Sequence, residues 1–211
     1  MIPDLHLTVP TLADLDSLAM MKSLAFAEKR SCCISESENT KTNLKCYQTY
    51  AESYPMKLEH CRIVTDGNDK TVIGACQLFL KGDPGDLAMP EFMRHHVLPG
   101  EAHIDWIACH PDHTGKGIGS KLLKWAETYS IENGAAYLSL EVMKANDGAF
   151  RLYERKGYEL KKDDPHADEC DFLCVGPLVF CCLGCKYWTV YYMEKKLISG
   201  GDVMPAEEMN R

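Results

Sequence analysis

The segment from Ala102 to Met143 constrains the chain more than any other, because a strand, a glycine loop, a helix and a second strand follow one another in it without a gap. "AHIDWIAC" (Ala102 to Cys109) reads as a strand that Pro111 ends, and Gly115, Gly117 and Gly119 then fall at every second position. "SKLLKWAETYSIENG" has helical spacing, with Leu122, Leu123, Ala126 and Tyr129 on one face and Gly134 as its C-terminal stop. "AAYLSLEVM" supplies the next strand. About 25 to 30 residues from strand to strand fit a crossover between parallel or splayed neighbours.

A glycine loop that opens a helix offers unpaired N–H groups and the positive end of the helix dipole to a phosphate or pyrophosphate. Bare backbone also lets the ligand come close. Two familiar uses fail on spacing: a dinucleotide fingerprint needs G-x-G-x-x-G, and a Walker A loop needs Lys and Ser or Thr after its second glycine, whereas Gly119 is followed by Ser120. Thr114 can add a hydroxyl and Lys116 a charge. Taken alone, the loop fits a tight strand-to-helix turn equally well.

The flanks give a mixed α/β order within one domain, expected over residues 1–197 with a flexible tail at 198–211. "LHLTV" (Leu5 to Val9) alternates as a strand, and Thr11 with Asp14 opens a helix carrying Leu15, Leu18, Ala19 and Phe26 on one face and ending near Arg30. A polar stretch, "SESENTK", precedes a second helix from about Thr42 to Ser53. "CRIVTDGNDKTVIGACQLFL" reads as a hairpin, and Gly82 to Gly100, with Pro84, Pro90 and Pro99, as a long loop. A short helix from about Asn146 to Lys156, closed by Gly157, leads to the strands "YELKK" and "YWTVYYMEKKL".

A formal charge of -8 argues against nucleic acid or an anionic membrane as the main partner, since phosphate contacts need clustered Lys and Arg. The start, "MIPDLHLTVP", lacks a basic and an apolar region, so no secretory signal is expected and the chain is placed in the cytoplasm. Eleven cysteines then read as free thiols. "CDFLCVGPLVFCCLGC" (Cys170 to Cys185) is too short to span a bilayer, which takes about 20 residues. Its spacing is not the paired C-x2-C pattern of a zinc ribbon, so it reads as cover for the core, and no metal is expected.

Two ordered motifs add a resemblance. "TGKGIG" after "IACHP" is similar to the pyrophosphate loop (R/Q)-x-x-G-x-(G/A) of the GNAT superfamily of acetyl-coenzyme A dependent N-acetyltransferases. "NDGAFRLYERKGY" (Asn146 to Tyr158) matches that family's N-x-x-A-x-x-L-Y-x-x-x-G-(F/Y). The match is close from about Ala102 to Lys161; Thr114 departs from it, standing where Arg or Gln is usual, with Lys116 as the compensating charge.

The resemblance implies an α/β fold with a central mixed, splayed β-sheet flanked by helices. It also implies transfer of an acetyl group from acetyl-CoA to a primary amine in a direct ternary complex, without metal. Backbone N–H groups around Ile107 and Cys109 would hold the pantetheine and the acetyl carbonyl. Thr114, Gly115, Lys116, Gly117, Ile118, Gly119 and Ser120 would hold the pyrophosphate, and Asn146 would bond to the cofactor arm. Tyr153 takes the general-acid position, able to protonate the departing thiolate.

The base is open between His103 and Asp105, which strand alternation puts on one face with Ile107 and Cys109. His103 has the more convenient intrinsic pKa, whereas Asp105 needs burial to raise its own. The family borders its acceptor groove with regions that here carry "SESENT" and "DDPHADECD", acidic walls suited to a small cationic amine or a peptide amine. A protein N-terminal or lysine acetyltransferase is the nearest alternative enzyme. From a different class stands a non-catalytic acyl-CoA sensor or interaction module of the same fold. Oligomeric state is not legible in the sequence.

Overall fold

The two apolar runs within residues 61–80 form the hairpin they predict: β2 (Cys61–Thr65) pairs antiparallel with β3 (Val72–Phe79), from Cys61 opposite Gln77 to Thr65 opposite Val72. Every β3 residue is buried, as a strand covered on both faces requires. The computed structural model describes residues 5–26, 35–66, 71–87, 91, 94–144, 146–161 and 190–197. Among these, β1 (Leu7–Thr8), β4 (Glu101–Cys109), β5 (Tyr137–Met143), β6 (Glu159–Leu160) and β7 (Val190–Lys196) complete one open sheet in the order β1-β2-β3-β4-β5-β7-β6. All neighbours run antiparallel except β4 and β5.

Helices cover both faces. On one side α1 (Leu15–Ala25) and α2 (Glu36–Ser53) pack Leu18, Met21, Tyr47 and Tyr50 against Ile63, Ala75 and Trp106, and the short α3 (Pro55–Glu59) follows at their edge. On the other, α4 (Ile118–Glu132) and α5 (Asp147–Arg155) bring Ile118, Leu122, Leu123 and Tyr153 against Cys76, Ile104, Leu138 and Leu140. None of the described helices is long and apolar enough to cross a membrane.

Several boundaries differ from the sequence reading. Thr11 N–H does donate to Asp14 Oδ2 at 2.8 Å, but the first turn is a 3-10 turn and the helix proper starts at Leu15. The second helix begins well before Thr42, at Glu36, because Ser35 and Glu38 form a capping box: Ser35 N–H donates to Glu38 Oε2 at 2.9 Å and Glu38 N–H to Ser35 Oγ at 3.3 Å. "SESENT" is thus the first turn of a helix. α3, unforeseen, starts on Pro55, and the buried Gln77 amide of β3 caps it by donating to Lys57 O at 2.9 Å and His60 O at 3.3 Å. The edge strands β1 and β6 are shorter than predicted. "DDPHADECD", the Cys170 to Cys185 segment and the 198–211 tail lie outside the described residues.

The first residue of α4 packs straight onto β3. A Cβ at Gly74 would collide with Ile118 Cγ2, and Ile118 is buried, so Gly74 is what lets the helix start close to the sheet. Gly74→Ala is expected to lower stability by about 1–3 kcal/mol, as overpacking does. Denaturant unfolding checks this; an unchanged midpoint would refute the close seat.

Lys57 is the other unforeseen core residue. Fully buried, its Nζ donates to Gly85 O at 2.5 Å and stands 4.1 Å from the Tyr50 ring and 3.9 Å from the Phe79 ring. Burial pulls its ammonium down to about 8 from 10.5. Between those values the folded chain carries the neutral amine while the unfolded chain keeps the proton, so stability rises with pH there. The stability of wild type relative to Lys57→Met is therefore expected to climb from about pH 8 to about pH 10.5 and to be flat below. Paired urea unfolding across that window tests it; a constant difference would sink the idea.

Candidate active site

β4 and β5 part company midway along their length. Their parallel pairing runs from Glu101 opposite Tyr137 to Ile104 opposite Leu140 and stops there. Beyond that point β4 stays bonded to β3 as far as Cys109, and β5 to β7 as far as Met143. Two strand edges therefore face each other across a wedge. At the point of divergence β4 carries a bulge: Trp106 opposes Gln77 and Ile104 opposes Leu78, leaving Asp105 as the extra residue.

The bulge also resets which residues share a face. Ala102 and Ile104 belong to the core under α4 and α5, but so do Ile107 and Cys109, while Trp106 and Ala108 pack on the α1 and α2 side. Simple alternation, which put His103, Asp105, Ile107 and Cys109 together, is thereby corrected: the second pair lies on the opposite face from the first.

A cleft of about 220 Å³ fills the wedge. Asp105, Trp106 and Ile107 form one wall, Glu141, Val142 and Met143 the other, and Asn146, Ala149 and Tyr153 come from α5 and its cap. Phe26 sets its ring edge-on to Trp106 at 6.3 Å, and Lys22 Nζ lies over the Trp106 ring, 5.2 Å from its centroid. Lys22 also pairs with Asp86 at 3.7 Å.

Environment separates the titratable groups. Burial, with Asp86 adding repulsion and Lys22 and Lys57 opposing it, pushes the Asp105 carboxyl up to about 7. Burial first, then Cys76 and Cys109, lifts Tyr153 above the usual phenol range, so its proton stays on. His103 is buried, outside the cleft lining, with Nδ1 2.8 Å from Ser139 Oγ; burial and His95 hold it down to about 3. Asn146 lines the cleft, but its Oδ1 accepts from Ala149 N–H at 3.1 Å as the N-cap of α5, leaving Nδ2 as its donor.

The glycine loop leads from the open end of β4 into α4. Gly115 and Gly117 have φ of 74° and 81°, and a Cβ at either would meet nothing within 4 Å, so conformation and not space demands glycine. Gly117 is the N-cap, and the first amides of α4 follow at Ile118, Gly119 and Ser120. Thr114 and Lys116 are exposed beside them, with Lys116 Nζ 3.4 Å from His113 Nδ1. Cys109 is half-buried; burial raises its thiol although the Gly119 N–H points to it.

Glu141, Trp106, Phe26 and the Lys22–Asp86 pair were missed by sequence reasoning. Glu141 left a signal, a lone charge in the apolar strand "LSLEVM"; the rest depend on which elements meet.

Comparison with known proteins agrees with this layout. The model of the acetyltransferase (GNAT) family matches residues 20–158. Streptothricin acetyltransferase of Streptomyces lavendulae is 36% identical over 77 residues, covering 36% of this chain and 41% of that enzyme. S-(2-succino)cysteine N-acetyltransferase of Bacillus subtilis strain 168 is 39% identical over 61 residues, covering 28% and 37%. The chain thus spans about two fifths of the length of these curated relatives. The structure of yncA from Salmonella typhimurium with its cofactor acetyl-CoA superposes with a TM-score of 0.60 at 15% identity, covering 96% of this chain and 99% of that one, a likeness of fold.

The two glycines that begin α4 should behave differently when changed. Gly117→Ala forces a left-handed φ on an alanine and is expected to cost about 1–2 kcal/mol. At Gly119, where φ is not positive and a Cβ would be 3.8 Å from Cys109 Sγ and Leu152 Cδ2, alanine is expected to be neutral or stabilising. Equal losses in urea unfolding would contradict the loop conformation.

Proposed function

The chain belongs to the acetyltransferase (GNAT) family, and on that premise we propose that it transfers the acetyl group of acetyl-CoA to a primary amine inside the β4–β5 wedge. One observation carries the reading: Asp105 of β4 and Tyr153 of α5 line the same cleft, at the end of β4 that runs into the glycine loop. A proton acceptor and a proton donor stand there with environments that push them toward those roles.

Each group has a part in the transfer. The amides of Gly115 to Ser120, with the Lys116 charge, hold the pyrophosphate at the start of α4. The free edge of β4 around Ile107 and Cys109 takes the pantetheine amides, and Asn146 Nδ2 donates to the same arm. Asp105 removes the proton from the acceptor ammonium, so that the amine nitrogen can bond to the thioester carbonyl carbon. When the carbon–sulfur bond breaks, Tyr153 delivers its proton to the departing thiolate, and the second proton that the attacking nitrogen sheds as it becomes an amide goes to water, from which the phenolate is reprotonated. His103 has no part in this reading, being neutral and turned to Ser139.

Asp105 and Glu141 face each other across the cleft beside Trp106 and Phe26, which favours a cationic amine with an organic body. The two curated relatives carry the names of small-molecule acceptors, streptothricin and S-(2-succino)cysteine, and they favour a small molecule over a peptide. Cys46, Cys61, Cys76 and Cys109 are unpaired thiols, in keeping with the reducing cytoplasm.

Calorimetry with acetyl-CoA, followed by thiol release against a panel of amines, tests the proposal. Tyr153→Phe and Asp105→Asn are each expected to lower kcat on the order of 10²-fold, the range of a lost acid or base, while acetyl-CoA still binds. Acetyl-CoA binding with no thiol release from any amine would replace the enzyme with an acyl-CoA sensor.

A further inference from the structure

At the closed end of the wedge, where β4 and β5 still pair, Glu101 of β4 is buried. Its Oε1 accepts from His95 Nε2 at 3.1 Å, from the Tyr192 hydroxyl of β7 at 3.0 Å and from the Ser139 hydroxyl of β5; its Oε2 accepts from Leu98 N–H at 2.7 Å. His103 Nδ1 lies 3.9 Å from Glu101 Oε1, and the three ligand atoms of His95, Glu101 and His103 all fall within 4.8 Å of one another. Among the described residues, the two imidazoles are the only ion-pair partners of this carboxylate. A buried anion served by imidazoles, with no lysine or arginine, is an arrangement that a cation would complete.

We propose that His95, Glu101 and His103 bind one divalent transition-metal ion of the zinc type, with a structural role. Two imidazoles and a carboxylate are a zinc donor set, and the separations of 3.1 and 3.9 Å bracket the roughly 3.3 Å between two donors on a tetrahedral zinc. Ser139 and Tyr192 supply the outer hydrogen bonds that orient a ligating carboxylate.

The two rings stack at 3.7 Å with 14° between their planes, so their lone pairs do not yet meet at one point. Convergence requires one ring to turn. His95, outside regular structure and less buried than His103, is the one that turns, and His103, whose Nδ1–H faces Ser139 Oγ while the Ser139 hydrogen goes to Glu101, moves its proton to Nε2 and gives the Nδ1 lone pair to the ion. The ion then ties the segment ahead of β4 to the sheet, with water in the fourth position.

The test uses the full chain, stripped by chelator under a non-thiol reductant and titrated with Co²⁺ and then Zn²⁺. One equivalent of Co²⁺ is expected to give visible d–d bands without a near-ultraviolet thiolate band, and Zn²⁺ to displace it and raise Tm. His95→Ala and Glu101→Gln should each weaken binding by at least about tenfold, with loss of the Tm rise, while His96→Ala retains both. Because Glu101→Gln strikes a buried network, His95→Ala is the deciding variant. Cobalt bound only with a thiolate band, no binding, or equal binding by His95→Ala would overturn the proposal and leave a hydrogen-bond cluster.

Discussion

Everything the cleft can do follows from the parting of β4 and β5 after Ile104 and Leu140. A buried strand edge normally finds a partner, because unpaired backbone N–H and C=O groups are costly away from water. Here each strand keeps its other neighbour, β3 or β7, so the sheet tolerates a gap at its centre. Such an edge is a template for an extended ligand that brings its own amides. The bulge at Asp105 supplies the local bend and places one carboxylate at the apex of the gap.

The two faces of the sheet contribute different chemistry to that gap. From the α4 and α5 side come Tyr153, Asn146 and a helix start seated close on Gly74. From the α1 and α3 side come charges: Lys22, Lys57 and Asp86 act on Asp105, and burial outweighs the two cations. Lys57 is held by aromatic rings and the Gly85 carbonyl, so its charge is fixed in place without contacting the cleft. The carboxylate and the phenol thus respond to opposite layers of the fold.

β4 also separates two kinds of polar site along one strand. Before the bulge, Glu101 and His103 join a network closed by Ser139 and Tyr192 from the neighbouring strands. After it, Asp105 and Ile107 face the open wedge. Two residues apart in the chain, His103 and Asp105 therefore live in different environments: one imidazole held neutral in a packed network, one carboxyl raised beside a cleft.

Local pattern carried much of the molecule. The strand, glycine loop, helix and strand of residues 102–143 were legible because their signals are short-range: apolar periodicity, Pro111, the alternating glycines and Gly134. Tyr153 and Asn146 were legible through a motif, and the Ser35–Glu38 cap is present in the sequence within the polar stretch ahead of the predicted helix. Other features depend on contacts between residues far apart in the chain. The Asp105 bulge exists only in the register of β4 against β3, and Glu141 faces Asp105 only because the parallel pair diverges. Lys57 is buried because α2, α3 and β3 surround it, and His95 meets His103 because the segment ahead of β4 folds back on that strand. Periodicity and capping are properties of neighbours in sequence, so the chain alone determined its elements and their order; register, burial and convergence of side chains are properties of packed elements, and only the tertiary structure decided those.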